Sequence, residues 1–338
     1  MIGVNFFQRK PRKGFSFSLE SIFQDIRTRL HDCVDSNVYI SRFFNDGYLT
    51  KIYNIIEAFI RYLKSSNKIN HITGEVHFLN LLIPKKSTVL TILDCGMMHR
   101  KTGIENKIIK WLYIKLPVWK ASVVTSISEE TKREIVMYSD CNPQKVIVIP
   151  VAVNPQFQPF PKLFNNSKPI ILHIGTGYNK NLSRLISALQ GIDCHLTIVG
   201  KLNDEHLDLM RANNIEYTNE YNISNERILE KYIECDILSF VSTFEGFGMP
   251  IVEANCVERV VITSNISSMP EVANNAACLV NPLDVSDMRK GFLKIINNKD
   301  YRETLINNGR INKLRFEPNK IASMYYELYE KLYGANVN

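Results

Sequence analysis

From Lys168 onward, short apolar runs alternate with longer segments whose apolar residues recur at three- and four-residue spacing. "KPIILHIGTG" predicts a buried strand running into a glycine turn, and "NLSRLISALQGI" predicts the helix after it. "CHLTIVGKLND" and "CDILSFVSTFEG" predict two further strands, with the helical "SNERILEKYIE" between them. "RVVITSN" predicts a fourth, followed by a turn and "MPEVANNA". Such β–α alternation builds a parallel sheet, and open sheets of this kind bind ligands at the carboxyl ends of their strands.

The first half is less regular. "MIGVNFF", "NKINHIT", "STVLTILDCG", "ASVVTSIS" and "KVIVIPV" read as strands, and "SLESIFQDIRTRL" and "NDGYLTKIYNIIEAFIRYLK" as helices, so a second α/β domain is predicted. Pro150, Pro155, Pro159 and Pro161 interrupt any regular element between the halves. The expected organisation is an N-terminal domain over residues 1–150, a linker at 151–167, a second domain at 168–315 and a C-terminal helix at 316–338. That amphipathic helix, "NKIASMYYELYEKLYG", is expected to end at Gly334 and to pack back on the N-terminal domain.

Composition supports two globular domains: 338 residues, 45% apolar and 22% charged, without low-complexity tracts. The seven cysteines never adopt the C-x-x-C spacing of zinc or redox sites, so they are expected as reduced thiols. No stretch of 18 apolar residues occurs, and the N-terminus has the reverse of a secretory charge pattern, which leads to the expectation of a cytoplasmic protein. The net charge of +7 is uneven, with 22 Lys/Arg against 13 Asp/Glu in residues 1–160 and 19 against 21 in the remainder. A basic first half suits an anionic membrane surface, nucleic acid or a solvated face, and no nucleic-acid-binding signature supports the second.

Candidate chemistry concentrates in "VSTFEGFGMPIVEAN" (Val241–Asn255). A strand is expected to end at Ser242 or Thr243, Gly246 and Gly248 to occupy the turn, and Pro250 to open a helix. Glycines let backbone N–H groups approach an anion, and a helix start favours negative charge, so a phosphate fits the turn. Glu245 and Glu253 then suit sugar hydroxyls. The bland alternatives are chance spacing and, for a carboxylate in a helix's first turn, the helix dipole.

"EGFGMPIVEA" resembles the E-x7-E segment of family 4 retaining glycosyltransferases. "LHIGTGYNKNLSRLISAL", "LTIVGK", "LEKYIECDILSFVSTFEGFGMPIVEA" and "SSMPEVANNAACLVNPLD" resemble the same C-terminal domain in order and spacing, and "TSISEETKREI" and "VIVIPVAVNPQFQP" the segments before it. The resemblance implies the GT-B fold, two Rossmann-like α/β domains facing a central cleft, and transfer of a hexose-type sugar from a UDP- or GDP-linked donor with no metal or other cofactor. It assigns Glu253 to the ribose hydroxyls, Glu245 to the donor sugar, Gly246, Phe247 and Gly248 to the backbone around the donor, and Lys180 to the diphosphate. Gly175 and Thr176 join the donor site, although Thr176 stands where many relatives carry arginine, so phosphate binding is expected either to rest more heavily on Lys180 or to draw on Lys201. "CVERVV" replaces the usual small-residue turn after the second glutamate.

For the acceptor half, the resemblance makes His71 the first choice for a histidine beside the donor sugar and His77 the second. Asp94 resembles the aspartate of a T-I-H-D segment whose histidine is Leu93 here. Arg12 and Lys13, in "QRKPRKGFSF", are expected to line an acceptor site, or else to form a solvated loop. "NKIIKWLYIKLPVWKAS" mixes lysines with Trp111 and Trp119, which suits either a peripheral contact with an anionic membrane or a core helix whose lysines reach water. The expected acceptor is a glycan or lipid-linked oligosaccharide of bacterial surface polysaccharide assembly, such as lipopolysaccharide. A sugar-nucleotide hydrolase or epimerase of similar fold, and a non-catalytic binding partner, are the alternatives.

Overall fold

The computed structural model describes residues 1–11, 18–99 and 110–337. The chain forms two compact units: unit 1 comprises Met1–Ala152 together with Pro318–Asn338, and unit 2 comprises Val153–Glu317.

In unit 1, six parallel strands lie in the order β2-β1-β3-β4-β5-β6. They are β1 (Ile2–Gln8), β2 (Val34–Ile40), β3 (Ile69–Thr73), β4 (Thr88–Ile92), β5 (Val123–Ser126) and β6 (Val146–Val148). Residues alternate between the two faces of a strand, so β1 feeds two cores. Val4 and Phe6 pack with Phe23 and Ile26 of α1 (Ser18–Arg29), and Phe7 packs with Ala58 of α2 (Tyr48–Lys64). The C-terminal helix, Pro318–Val337, completes the first of these cores. Its Ile321, Ala322, Tyr325, Leu328, Tyr329 and Leu332 recur at helical spacing and are buried there. The helix runs on through Gly334, where the sequence suggests a stop.

In unit 2, six parallel strands lie in the order β12-β11-β10-β7-β8-β9. They are β7 (Ile170–Ile174), β8 (His195–Val199), β9 (Tyr217–Glu220), β10 (Ile237–Phe240), β11 (Val260–Ser264) and β12 (Cys278–Val280). From β7 the chain steps outward to β8 and β9, then returns to the other side of β7 as β10. Strand order therefore reverses between β7 and β10, the position at whose carboxyl ends open α/β sheets bind ligands.

The proline-rich segment is fastened to unit 2 at several points. Lys162 Nζ donates to Asp236 Oδ1 at 2.7 Å, Phe157 packs edge-on to Tyr232, and the Val153 N–H donates to the Phe316 carbonyl. Arg259 belongs to the same fastening. Its buried guanidinium donates to the carbonyls of Phe160, Val257 and Ile233, while Glu258, at φ 62°, pairs with Arg310. The departure "CVERVV" is thus a structural staple.

Candidate active site

The residues singled out in unit 2 gather at the reversal point. β10 ends at Phe240, and the loop after it reaches across to the turn after β7. The Thr243 N–H donates to the Asn179 carbonyl at 2.8 Å, and Asn179 Nδ2 donates to the Phe244 carbonyl at 2.9 Å and to Glu245 Oε1 at 3.2 Å. Lys180 Nζ also donates to Glu245 Oε1, at 2.6 Å, and lies 4.8 Å from the centre of the Phe240 ring. Both members of this ion pair are part-buried, at 23% and 16% side-chain exposure, so solvent screens them only partly.

Gly175 makes room for the lysine. Its φ is +92°, and a Cβ there would stand 2.9 Å from Lys180 Cε. Thr176, in place of the arginine of many relatives, donates from Oγ1 to the Lys201 carbonyl at 2.7 Å and ties the turn after β7 to the turn after β8. Lys201 itself is exposed.

Gly248 has φ +112° and precedes the helix Met249–Cys256, with Pro250 second in that helix rather than first. Phe247 turns its ring into the core against Phe316, leaving backbone at the surface of the turn. Ser267 and Ser268 hold the turn's shape: both donate to the Glu245 carbonyl at 2.9 Å, and Ser268 also donates to the Phe247 carbonyl at 2.7 Å. Gly246 lies between them, part-buried.

Glu253 lies beyond the first turn of its helix, so the helix dipole does not account for it. Tyr232, fully buried, donates to its Oε2 at 2.6 Å. Burial pushes the carboxyl up to about 7, against the opposing effect of that hydrogen bond. Among the described residues neither Glu253 Oε1 nor Glu245 Oε2 has a hydrogen-bond partner. Each glutamate therefore engages the protein through one oxygen and leaves the other to accept from a ligand.

Unit 1 has its own reversal of strand order, between β1 and β3. Arg9, just past β1, pairs with Glu20 at 2.7 Å and with Glu75, just past β3, at 2.5 Å. His77 follows in a short 3₁₀ turn and donates from Nδ1 to the Tyr113 carbonyl at 2.7 Å, so Nε2 is the acceptor nitrogen. Burial lowers its pKa below the ordinary histidine value. Asp94 is exposed beyond β4 and accepts from the Gly96 N–H.

His71 corrects the expectation made for it. It lies in the middle of β3, with no exposed surface, packed among Phe6, Phe23 and Tyr325. Both ring nitrogens are occupied at 2.7 Å, Nδ1 by the Tyr329 hydroxyl and Nε2 by Thr91 Oγ1. Burial lowers its pKa to about 3. No atom of this ring is left for a sugar, and His71 is a packing residue that holds the C-terminal helix to the sheet. Arg12 and Lys13 lie outside the described residues, as does Lys107.

Sequence alone assigns no role to Tyr232, Asn179, Ser267 or Ser268. All four lie within segments matched to the family for their order and spacing, but nothing in "LEKYIE" marks Tyr232 as the partner of a glutamate 21 residues later.

Residues 155–312 match the family described as glycosyl transferases group 1. A serotype-specific mannosyltransferase, WbdA of Escherichia coli, is 25% identical over 213 residues; the match covers 54% of this chain and spans about a quarter (26%) of that protein's length. Two solved structures align over nearly all of both chains. One is a sucrose-phosphate synthase from Thermosynechococcus elongatus, with TM-score 0.78 and 14% identity, covering 99% of this chain and 100% of that one. The other is Anabaena HepE in complex with UDP-glucose, with TM-score 0.79 and 13% identity, covering 98% and 100%. The fold is GT-B, two Rossmann-like α/β units, each with a six-stranded parallel sheet.

Proposed function

We propose that the chain is a retaining, metal-independent glycosyltransferase that moves a hexose-type sugar from a UDP- or GDP-linked donor to a glycan or lipid-linked oligosaccharide in surface polysaccharide assembly. One observation carries the reading. Glu245 and Glu253 flank the turn at the reversal of strand order, each with one carboxylate oxygen anchored and one unpartnered, and Lys180 stands beside the first. A part-buried carboxyl held up to about 7 is costly for the fold, and such costs concentrate where a protein binds or transforms a ligand. The group 1 glycosyltransferase match over residues 155–312 supports the same reading, as does a UDP-glucose complex in a protein of this fold.

In this reading the residues divide the donor among them. Glu253 Oε1 accepts from the ribose hydroxyls, and Glu245 Oε2 accepts from the donor sugar. Lys180, with the backbone of Gly175, Thr176, Gly246, Phe247 and Gly248, meets the diphosphate, and Lys201 adds charge from the neighbouring turn. The bond from the anomeric carbon to the diphosphate breaks as Lys180 stabilises the charge that leaves. The acceptor oxygen bonds to the same face of that carbon, and its proton passes to an oxygen of the departing diphosphate. His77 and Asp94, on the carboxyl-end loops of unit 1, are assigned to the acceptor.

Calorimetric titration of UDP-, GDP-, ADP- and TDP-sugars into the wild type and Glu253→Ala, without added metal, tests the donor assignment. One nucleotide class should bind, and the variant should weaken it by about ten-fold or more, roughly 1.4 kcal/mol. Equal binding to both proteins removes Glu253 from the ribose. Turnover abolished by EDTA contradicts metal independence, and an inverted anomeric configuration in the product contradicts retention.

A further inference from the structure

α2 is built with its apolar side outward. Its packed face holds the buried Asn54 and Ala58, and Asn54 spends its amide on the Phe43 carbonyl and on Asn45. The opposite face carries Leu49, Ile52, Tyr53, Ile56, Ile60 and Leu63, each between 42% and 83% exposed. At helical periodicity these six side chains fall within an arc of about 100°, the width of a stripe that normally faces a core. A continuous exposed stripe of this length marks an interaction surface rather than scattered surface residues.

The margins of the stripe identify the partner. Residues 42–68 hold five basic side chains against two acidic ones, and Glu57, one of the acids, is part-buried and pairs with Arg61. The cations are interleaved with aromatic rings. Arg42 donates to the Tyr53 hydroxyl at 3.3 Å, Lys64 follows Tyr53 at the edge of the stripe by helical periodicity, and Lys10 stands 4.9 Å from the centre of the Phe44 ring, whereas Lys51 lies on the side of the helix away from the stripe, 5.4 Å from the centre of the Tyr113 ring. An apolar helical face with basic margins matches the acyl–headgroup boundary of an anionic bilayer, where apolar side chains enter the lipid and cations meet phosphates. A second copy of the same face would bring like charges together. Among the described residues no helix is long and apolar enough to cross a membrane.

We propose that the outward face of α2 is a docking surface for an anionic phospholipid bilayer, with Leu49, Ile52, Ile56, Ile60 and Leu63 entering it and Arg42 and Lys64 meeting its phosphates. This deepens the lipid-linked acceptor reading by naming the surface, yet it requires neither a donor nor turnover, so the two stand or fall separately.

The test is co-sedimentation of the full chain with phosphatidylcholine vesicles, with and without phosphatidylglycerol, at low and high salt. Ile52→Ser/Ile56→Ser/Ile60→Ser and Arg42→Glu/Lys64→Glu are the variants. These side chains are not core residues, and an unchanged urea midpoint verifies that each variant is folded. The wild type should bind phosphatidylglycerol vesicles, more weakly in high salt, and each variant should lose about ten-fold or more of that binding. Absence of wild-type binding, or binding that the serine variant retains, overturns the proposal. So does a concentration-dependent dimer that the serine variant dissolves in the absence of vesicle binding, since the face would then belong to a second copy.

Discussion

Tyr232 Oη donates to Glu253 Oε2 at 2.6 Å, so a carboxylate that burial holds well above its ordinary pKa is anchored by a fully buried phenol. The consequence for stability has a definite sign. The Glu253 carboxyl titrates near 7 in the fold and near 4.5 in the unfolded chain. Between those values the folded protein binds the extra proton, so stability falls as pH rises through the window. Glu253→Gln removes this dependence. Urea unfolding should show the variant gaining on the wild type from pH 5 to pH 8, by about 1–3 kcal/mol at the upper end. Donor binding should weaken by about ten-fold in the same variant. A difference between the two proteins that does not change with pH would contradict the burial of this carboxyl.

Tyr232→Phe separates the anchor from the carboxylate. The hydrogen bond favours the ionised form, so its loss raises the Glu253 pKa further. Nucleotide binding measured across pH 6–9 should then show its titration at higher pH than in the wild type, with a stability loss of about 1–2 kcal/mol. An unshifted pH profile would place Tyr232 in packing alone.

The central strands of both sheets are legible because both their faces are buried, giving runs such as "IILHI" and "VVITS". The three strands missing from the sequence reading, β2, β9 and β12, all lie at sheet edges. There one side of the ladder is unpaired, and "VDSNVYI" and "YTNE" carry the polar residues such a position allows. The site is legible in part for a similar reason. Glycines, Lys180 and the two glutamates lie in continuous segments, whereas Tyr232 reaches Glu253 from a different helix, which no spacing records. α2 shows the same limit from the other side. Its apolar periodicity reads as a core face, and periodicity alone does not distinguish a core from any other apolar surroundings.

Lys180 and Glu245 provide a test of how phosphate and sugar are divided. Lys180→Ala removes a cation from the diphosphate position and leaves Glu245 without its ion-pair partner. Affinity for the cognate nucleoside diphosphate should fall by about ten-fold or more, while affinity for the bare nucleoside stays within about two-fold. Equal losses for both ligands, measured calorimetrically, would mean that the variant has disturbed the turn rather than a phosphate contact. The remaining hydrogen bonds from Asn179, Ser267 and Ser268 to this loop argue that the turn persists.

His71 separates structure from chemistry in unit 1. With both nitrogens bonded and burial lowering its pKa to about 3, the ring stays neutral in the fold, whereas in the unfolded chain it protonates near 6.5. The unfolded state therefore binds the extra proton between those values, and His71 contributes a loss of stability as pH falls from about 6.5 towards 3. His71→Ala opens a cavity among Phe6, Phe23 and Tyr325 and strips the Tyr329 hydroxyl of its partner. The cost should be about 3–5 kcal/mol at pH 7.5, with a shallower acid limb than the wild type. Turnover per folded molecule, measured well below the variant's unfolding midpoint, should change by less than about three-fold, because a packing residue leaves the transition state alone. A variant that unfolds like the wild type yet loses turnover would return His71 to the chemistry. Loss of stability with turnover retained assigns it to the seam between the sheet and the C-terminal helix.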